Sequence, residues 1–309
     1  MSAIRALLLA ASQNKWLRER ASRFAFVKKS VSRFMPGETL DDALRAARAL
    51  ELRKIGTVLT HLGENVLDLN EAEQVTAHYS QVLEKIHSEK LQTEVSVKLT
   101  QLGLDLSPDI CEQNLRRLLA AENPNRTLWL DMEASSYVDA TLRIYRKLAA
   151  DFPNTGICLQ AYLHRTEADI DSLLPLAPSI RLVKGAYSEP ASIAMQGRED
   201  IVKNYLHLAQ KLLRAQHQRT VRRAALATHD PQLIRGITDF AAAEGLAKSA
   251  VEIQMLYGIQ RPEQQRLVTG EWRCGVLIAY GNFWYPWFVR RLAERPANLW
   301  LLVRNLAGG

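Results

Sequence analysis

Short β-branched and aliphatic runs recur along the chain, and most end in a polar residue. They are Gly56 to Glu64, Glu94 to Gly103, Thr127 to Glu133, Gly156 to Tyr162, Ser179 to Tyr187, Arg223 to Asp230, Val251 to Gly258 and Cys274 to Gly281. Between them lie stretches with apolar positions at helical spacing: Leu40 to Arg53, Glu71 to Ile86, Asp109 to Ala121, Val138 to Ala150, Glu199 to Arg214 and Gln232 to Ala243. A shorter helical connection falls at Glu167 to Leu174. Start signals sit where helices should begin. Thr39 precedes Asp42, while Ser107-Pro108 and Asp230-Pro231 put a capping side chain before a proline at the first helical position. Strand alternating with helix eight times predicts a closed parallel barrel of the (β/α)8 TIM type, over residues 36–309. An open doubly wound sheet is the alternative. Residues 1–35 are expected to add N-terminal basic helices.

Composition narrows this reading. The 309 residues are 47% hydrophobic, enough for one large core, and their 24% charged content is ordinary for a globular protein. No apolar run reaches the length needed to span a bilayer, and Ala6 to Ala11 is short and broken at once by Gln13 to Lys15. A cytoplasmic protein is expected. The cysteines Cys111, Cys158 and Cys274 form no CxxC pair, which points to a reducing compartment and to packing roles. The net charge is +7, and Lys15, Arg18, Arg20, Arg23, Lys28, Lys29 and Arg33 crowd its start. Such a segment reads as a solvated helix face or as a peripheral contact with an anionic membrane. No aromatic platform accompanies it, so nucleic acid is not expected as a partner.

The ends of the runs carry the chemistry. Glu64, Lys98, Asp131, Gln160, Lys184, His229 and Tyr257 all fall in C-terminal halves. In this barrel class the C-terminal mouth holds the active site, and buried polar groups there cost several kcal/mol unless paired or ligand-bound. Their convergence points to an enzyme. Three chemistries compete. His61, His164 and His229 lie singly on separate strands, which gives metal hydrolysis no support. Lys98 or Lys184 suits a Schiff-base lyase. The third is a flavin enzyme.

The third carries a specific resemblance. The segments Val97-Lys98-Leu99-Thr100-Gln101-Leu102-Gly103 and Arg181-Leu182-Val183-Lys184-Gly185-Ala186-Tyr187 resemble proline dehydrogenase. So do Ala227-Thr228-His229-Asp230, Gln254-Met255-Leu256-Tyr257-Gly258 and Arg290-Arg291-Leu292-Ala293-Glu294-Arg295-Pro296. They occur in family order from about Pro36 onward, and the likeness is to the monofunctional bacterial form. It implies FAD held on the barrel mouth, which accounts for the lack of a GxGxxG fingerprint.

The resemblance also distributes roles. Arg181, Lys184 and Gln160 lie against the flavin ring, where fixed cations and dipoles stabilise the charge of reduction. Asp131, Gly185, Ala186, Thr228, His229 and Gln254 complete the cofactor contacts; His229 also reads as a mere neighbour of the Asp230-Pro231 cap. Arg290 and Arg291 offer paired guanidiniums to a substrate carboxylate. Lys98 stands near that carboxylate, Asp131 balances the cations, and Lys98, Asp131 and Arg181 form the catalytic group. Glu64 pairs with Arg291 as a gate that excludes water. Ala186, Tyr187 and Leu256 line the apolar wall. The implied reaction takes L-proline to Δ1-pyrroline-5-carboxylate, with electrons passing to a quinone. Two positions depart from the family, which has tyrosine where this chain has Leu277 and Trp287. A substituted proline-like imino acid therefore stays open as substrate, as do the lyase using Lys184 and a protein that binds imino acids without turnover.

Overall fold

A computed structural model describes residues 31–63 and 65–285. Glu64, Trp287, Arg290, Arg291 and the expected helices before residue 31 lie outside the described residues. Eight strands close into one parallel barrel in chain order: β1 (Gly56–His61), β2 (Glu94–Lys98), β3 (Leu128–Asp131), β4 (Thr155–Gln160), β5 (Ser179–Val183), β6 (Arg223–Ala227), β7 (Glu252–Leu256) and β8 (Arg273–Tyr280). The ring shuts along β1 and β8, in register from Gly56 opposite Gly275 to His61 opposite Tyr280. The open sheet is thereby excluded.

Helices cover the outside: α1 (Leu40–Glu51) before β1, then α2 (Leu69–Ser88), α3 (Pro108–Ala121), α4 (Val138–Ala149), α5 (Thr166–Leu173), α6 (Arg198–His217), α7 (Pro231–Ala243) and α8 (Arg261–Thr269). Thr39 and Asp42 form a reciprocal capping box on α1, and Ser107 and Asp230 cap α3 and α7 ahead of their prolines. The periodicity above does not mark α8. It buries only Gln264 and Leu267, so its apolar stripe is too thin to read.

The strands are shorter than the apolar runs. After Lys98 the chain turns into a 3-10 helix, Leu99–Leu102, closed by Gly103 at φ +96°. That turn is buried although it is not strand, which is why the run extends past the strand end. The main core lies between strands and helices, where Leu59, Val95, Leu130, Ile157, Leu182, Leu226, Ile253 and Val276 meet the helix faces. Inside the barrel the apolar content is small: Val58, Trp129 and Ala225, with Leu277 against them. The segment before α1 docks on the mouth end of the β1–β8 seam. There Val31 and Met35 pack on Leu62, Ala279 and Trp284, and Trp284 Nε1 donates to Glu38 at 3.0 Å.

Candidate active site

Alternation along β2 to β5 turns Ser96, Lys98, Trp129, Asp131, Cys158, Gln160 and Arg181 into the barrel. The carboxylate of Asp131 collects three donors on one oxygen. Ser96 Oγ lies at 2.7 Å, Arg181 Nη1 at 3.1 Å and the Cys158 thiol at 3.3 Å. Burial pushes the Cys158 thiol up to about 12, Asp131 adding to it against Arg181, so it remains a protonated donor. Arg181 is buried, and its guanidinium carbon stands 4.4 Å from the centroid of the Trp129 ring. Its Nη1 is fully engaged, yet Nε and Nη2 are buried without a partner. Gln160 repeats the pattern. Its Nε2 donates to the carbonyl of Glu133 at 3.1 Å, and its buried Oε1 has no partner. Buried polar atoms are nearly always satisfied, so these mark where a polar ligand belongs.

The mouth itself is half-open: the last residues of β2, β3, β5 and β7, including Lys98, Asp131 and Leu256, are partly exposed while those before them are buried. Beyond β5 the chain passes over Tyr162 at Gly185, where φ is +107° and an added Cβ would overlap the ring. The loop that carries Ala186 and Tyr187 is fastened at both flanks. Glu189 accepts from Ser135 N at 2.7 Å and Ser135 Oγ at 2.6 Å, and Met195 N donates to Tyr162 O at 2.8 Å. Lys184 Nζ reaches Asp230 at 3.4 Å. Burial opposes ionisation of Asp230, but the α7 N-terminus and Lys184 hold its carboxyl below the ordinary range. Thr228 is buried at the end of β6. His229 Nε2 accepts from Leu256 N at 2.8 Å, which puts the ring proton on Nδ1 and ties the β6 and β7 loops together.

Not every expected residue joins this ring. Tyr257 turns outward, packing on the core under the helices with Arg261 over its ring. It follows Leu256 by one residue, and alternation sends the two to opposite sides. Gln254 is buried and donates to Glu252 at 2.7 Å, so its amide belongs to the layer beneath the mouth. Leu277 is half-buried on the Trp129 side of the lumen. Sequence reasoning omitted Ser96, Trp129 and Cys158. The signal was available, since each lies two residues before a tip already singled out, on the same side of its strand. It also omitted a charged floor. Arg223 bridges Glu94 at 2.5 Å and Glu252 at 2.8 Å, and Arg273 meets Glu252 at 3.1 Å. Burial opposes ionisation of Glu252, yet the two arginines hold its carboxyl at about 2. Among the described residues no group of three or more His, Cys, Asp or Glu is arranged to hold a metal ion. None of the described helices is long and apolar enough to cross a membrane.

Comparison with known proteins supplies the rest. The sequence pattern of the family described as proline dehydrogenase matches residues 43–300. Proline dehydrogenase 1 of Bacillus subtilis subsp. natto is 33% identical over 304 residues, covering 98% of this chain and 99% of that one. The proline dehydrogenase of Deinococcus radiodurans is 36% identical over 285 residues, 90% of each. The crystal structure of proline utilization A from Bdellovibrio bacteriovorus inactivated by N-propargylglycine superposes with a TM-score of 0.79 at 26% identity. That match covers 87% of this chain but only 33% of the longer protein. The likeness thus runs nearly end to end with the two named proline dehydrogenases and is confined to one portion of the longer protein. The chain belongs to the proline dehydrogenase family.

Proposed function

We propose that the mouth holds FAD and that the enzyme oxidises L-proline to Δ1-pyrroline-5-carboxylate, passing the electrons on to a quinone. The observation that carries this reading is Arg181, which presents two buried, unpartnered donors above Trp129 with Asp131 anchoring its far nitrogen. Gln160 adds a buried acceptor beside them. A planar ring edged with acceptors and one N–H fits that set. When bound, FAD supplies a two-electron acceptor on which negative charge accumulates, and fixed cations favour that change. Lys184, Gly185, Ala186, Thr228 and His229 are assigned to the same cofactor, whereas Gln254, engaged by Glu252 beneath the mouth, is not.

In the reaction, proline loses a hydride from the ring carbon next to nitrogen, the nitrogen lone pair closes the C=N bond, and the N–H proton of the resulting iminium passes to solvent. The amine must therefore be neutral. Lys98, Arg290 and Arg291 are assigned to the substrate carboxylate, Asp131 to charge balance, Ala186, Tyr187 and Leu256 to the ring, and Glu64 with Arg291 to a gate. The Schiff-base lyase loses ground because Lys184 faces Asp230, and an ion-paired ammonium is a poor nucleophile. A second reading keeps the chemistry and changes the substrate. Leu277 presents an apolar, half-open surface where the family has tyrosine, and Trp287 departs likewise, which favours a substituted or larger imino acid.

The deciding experiment is an anaerobic visible spectrum before and after L-proline. A flavin spectrum bleached by proline supports the full reading. A flavin spectrum unmoved by proline but bleached by a larger imino acid supports the second. A protein that takes up no FAD on reconstitution overturns both. The basic segment from Lys15 to Arg33 would keep the enzyme at an anionic membrane, within reach of a lipid-soluble acceptor. Liposome binding unchanged by neutralising Lys28, Lys29 and Arg33 would sink that part.

A further inference from the structure

One aromatic ring connects the two charged layers of the barrel. Trp129 on β3 is fully buried in the lumen. The Arg181 guanidinium lies 4.4 Å from its centroid and the Arg223 guanidinium 5.2 Å from it. Its indole N–H is not spare: Nε1 donates to Glu94 Oε2 at 2.8 Å. Glu94 is itself pinned, accepting from Thr127 N at 3.1 Å and from Arg223 at 2.5 Å. Arg223 is clamped in turn by both oxygens of Glu252, each at 2.8 Å. Opposite the ring edge, β4 carries Gly156, where an added Cβ would stand 2.5 Å from Trp129 Cε3. The strand has given up a side chain there to admit the indole.

Arg181 needs such a support. Only Nη1 of its guanidinium is hydrogen-bonded, through Ser96, Asp131 and Cys158. One fastened nitrogen leaves the plane free to turn about that point; a π face beneath it fixes the tilt. A carboxylate accepting from the indole N–H raises electron density on the ring and strengthens its hold on a cation.

We infer that Trp129, pinned by Glu94, is a positioning residue that sets the tilt of Arg181 and so aims its two unmet donors at the bound cofactor. The inference rests on the flavin reading above and deepens it. The Glu94–Arg223–Glu252 floor then acts on the redox centre without touching it. Loosening the ring weakens stabilisation of the reduced cofactor, so the midpoint potential falls.

The test replaces Trp129 with mono-, di- and trifluorotryptophan in the full chain, which keeps the shape and the N–H while draining the π face. The readout is the midpoint potential of bound FAD, with Trp129→Phe and Glu94→Gln alongside and Arg181→Lys to set the scale. A stepwise fall along the fluorinated series, reaching about tenfold in the two-electron equilibrium (about 30 mV), supports the inference. FAD uptake with a potential flat across the series overturns it and leaves the flavin reading standing. Failure of the wild-type chain to take up FAD overturns both.

Discussion

Arg181 Nη1 lies 3.1 Å from Asp131 Oδ1, while the other two guanidinium nitrogens are buried without a partner. The two residues come from β3 and β5, so the strand between them fixes their spacing. Asp131→Asn keeps the shape and removes the charge. We expect kcat/KM for proline to fall by about 10²-fold, the scale of losing one oriented stabilising group, with FAD retained less tightly. Steady-state kinetics with an artificial acceptor checks this, and a loss under threefold would contradict the catalytic assignment of the pair.

Gly185 tests the loop between β5 and α6. At φ +107° and against the Tyr162 ring, an alanine meets backbone strain and a clash together. Gly185→Ala should cost about 2 kcal/mol or more in stability and should impair cofactor retention as the loop shifts. Urea denaturation with a flavin-release assay separates the two effects. Unchanged release would show that the loop does not reach the cofactor.

The pH dependence of turnover follows from the substrate amine. Hydride leaves only from neutral proline, so activity should climb from neutral pH toward the amine pKa and then level off. A flat profile over that range would count against hydride transfer as the limiting step.

Stability has its own acid limb. Burial, with His78 and Lys98 nearby, holds His61 at about 4 rather than 6.5. Above pH 6.5 neither folded nor unfolded chain protonates this ring. Between 6.5 and 4 only the unfolded chain does, so stability drops as pH falls through that window, by at most roughly 3 kcal/mol. Urea midpoints at pH 7 and pH 5 should differ less in His61→Gln than in the wild type. Equal differences would show that the shift originates elsewhere.

Leu277 is the place to look for substrate choice. Leu277→Tyr restores the family residue on the lumen wall and should raise preference for proline over six-membered imino acids by 10-fold or more, the usual scale of a packing term. Ratios of kcat/KM for the two ring sizes decide it.

Much of this fold is legible along the chain because covered parallel strands and amphipathic helices write different periods. Where the rules stop, the cause is local. Leu99 to Leu102 is apolar and buried without being strand, so burial alone overstates β2. Helix α8 hides because the barrel asks it to bury so little. Tyr257 stands one residue past a site position, and only the pleat decides which side it takes. Trp129, Glu94 and Arg223 are harder. An indole in a strand reads as core, and charges at strand starts read as surface. Their meeting inside the lumen depends on ring closure, which no local window contains.

The seam between β1 and β8 joins the first strand of the ring to the last, in six register pairs. Loop-closure entropy makes such a contact late and slow to form. Lys98 and Asp131 stand on one side of that seam and Leu256 and Leu277 on the other, so no partly assembled ring presents the whole mouth. Completion of the circle is then what brings the two walls of the mouth face to face. A nascent or heat-opened chain can keep the Asp131–Arg181 pair on its contiguous strands, but without the opposite wall that makes a pocket of it.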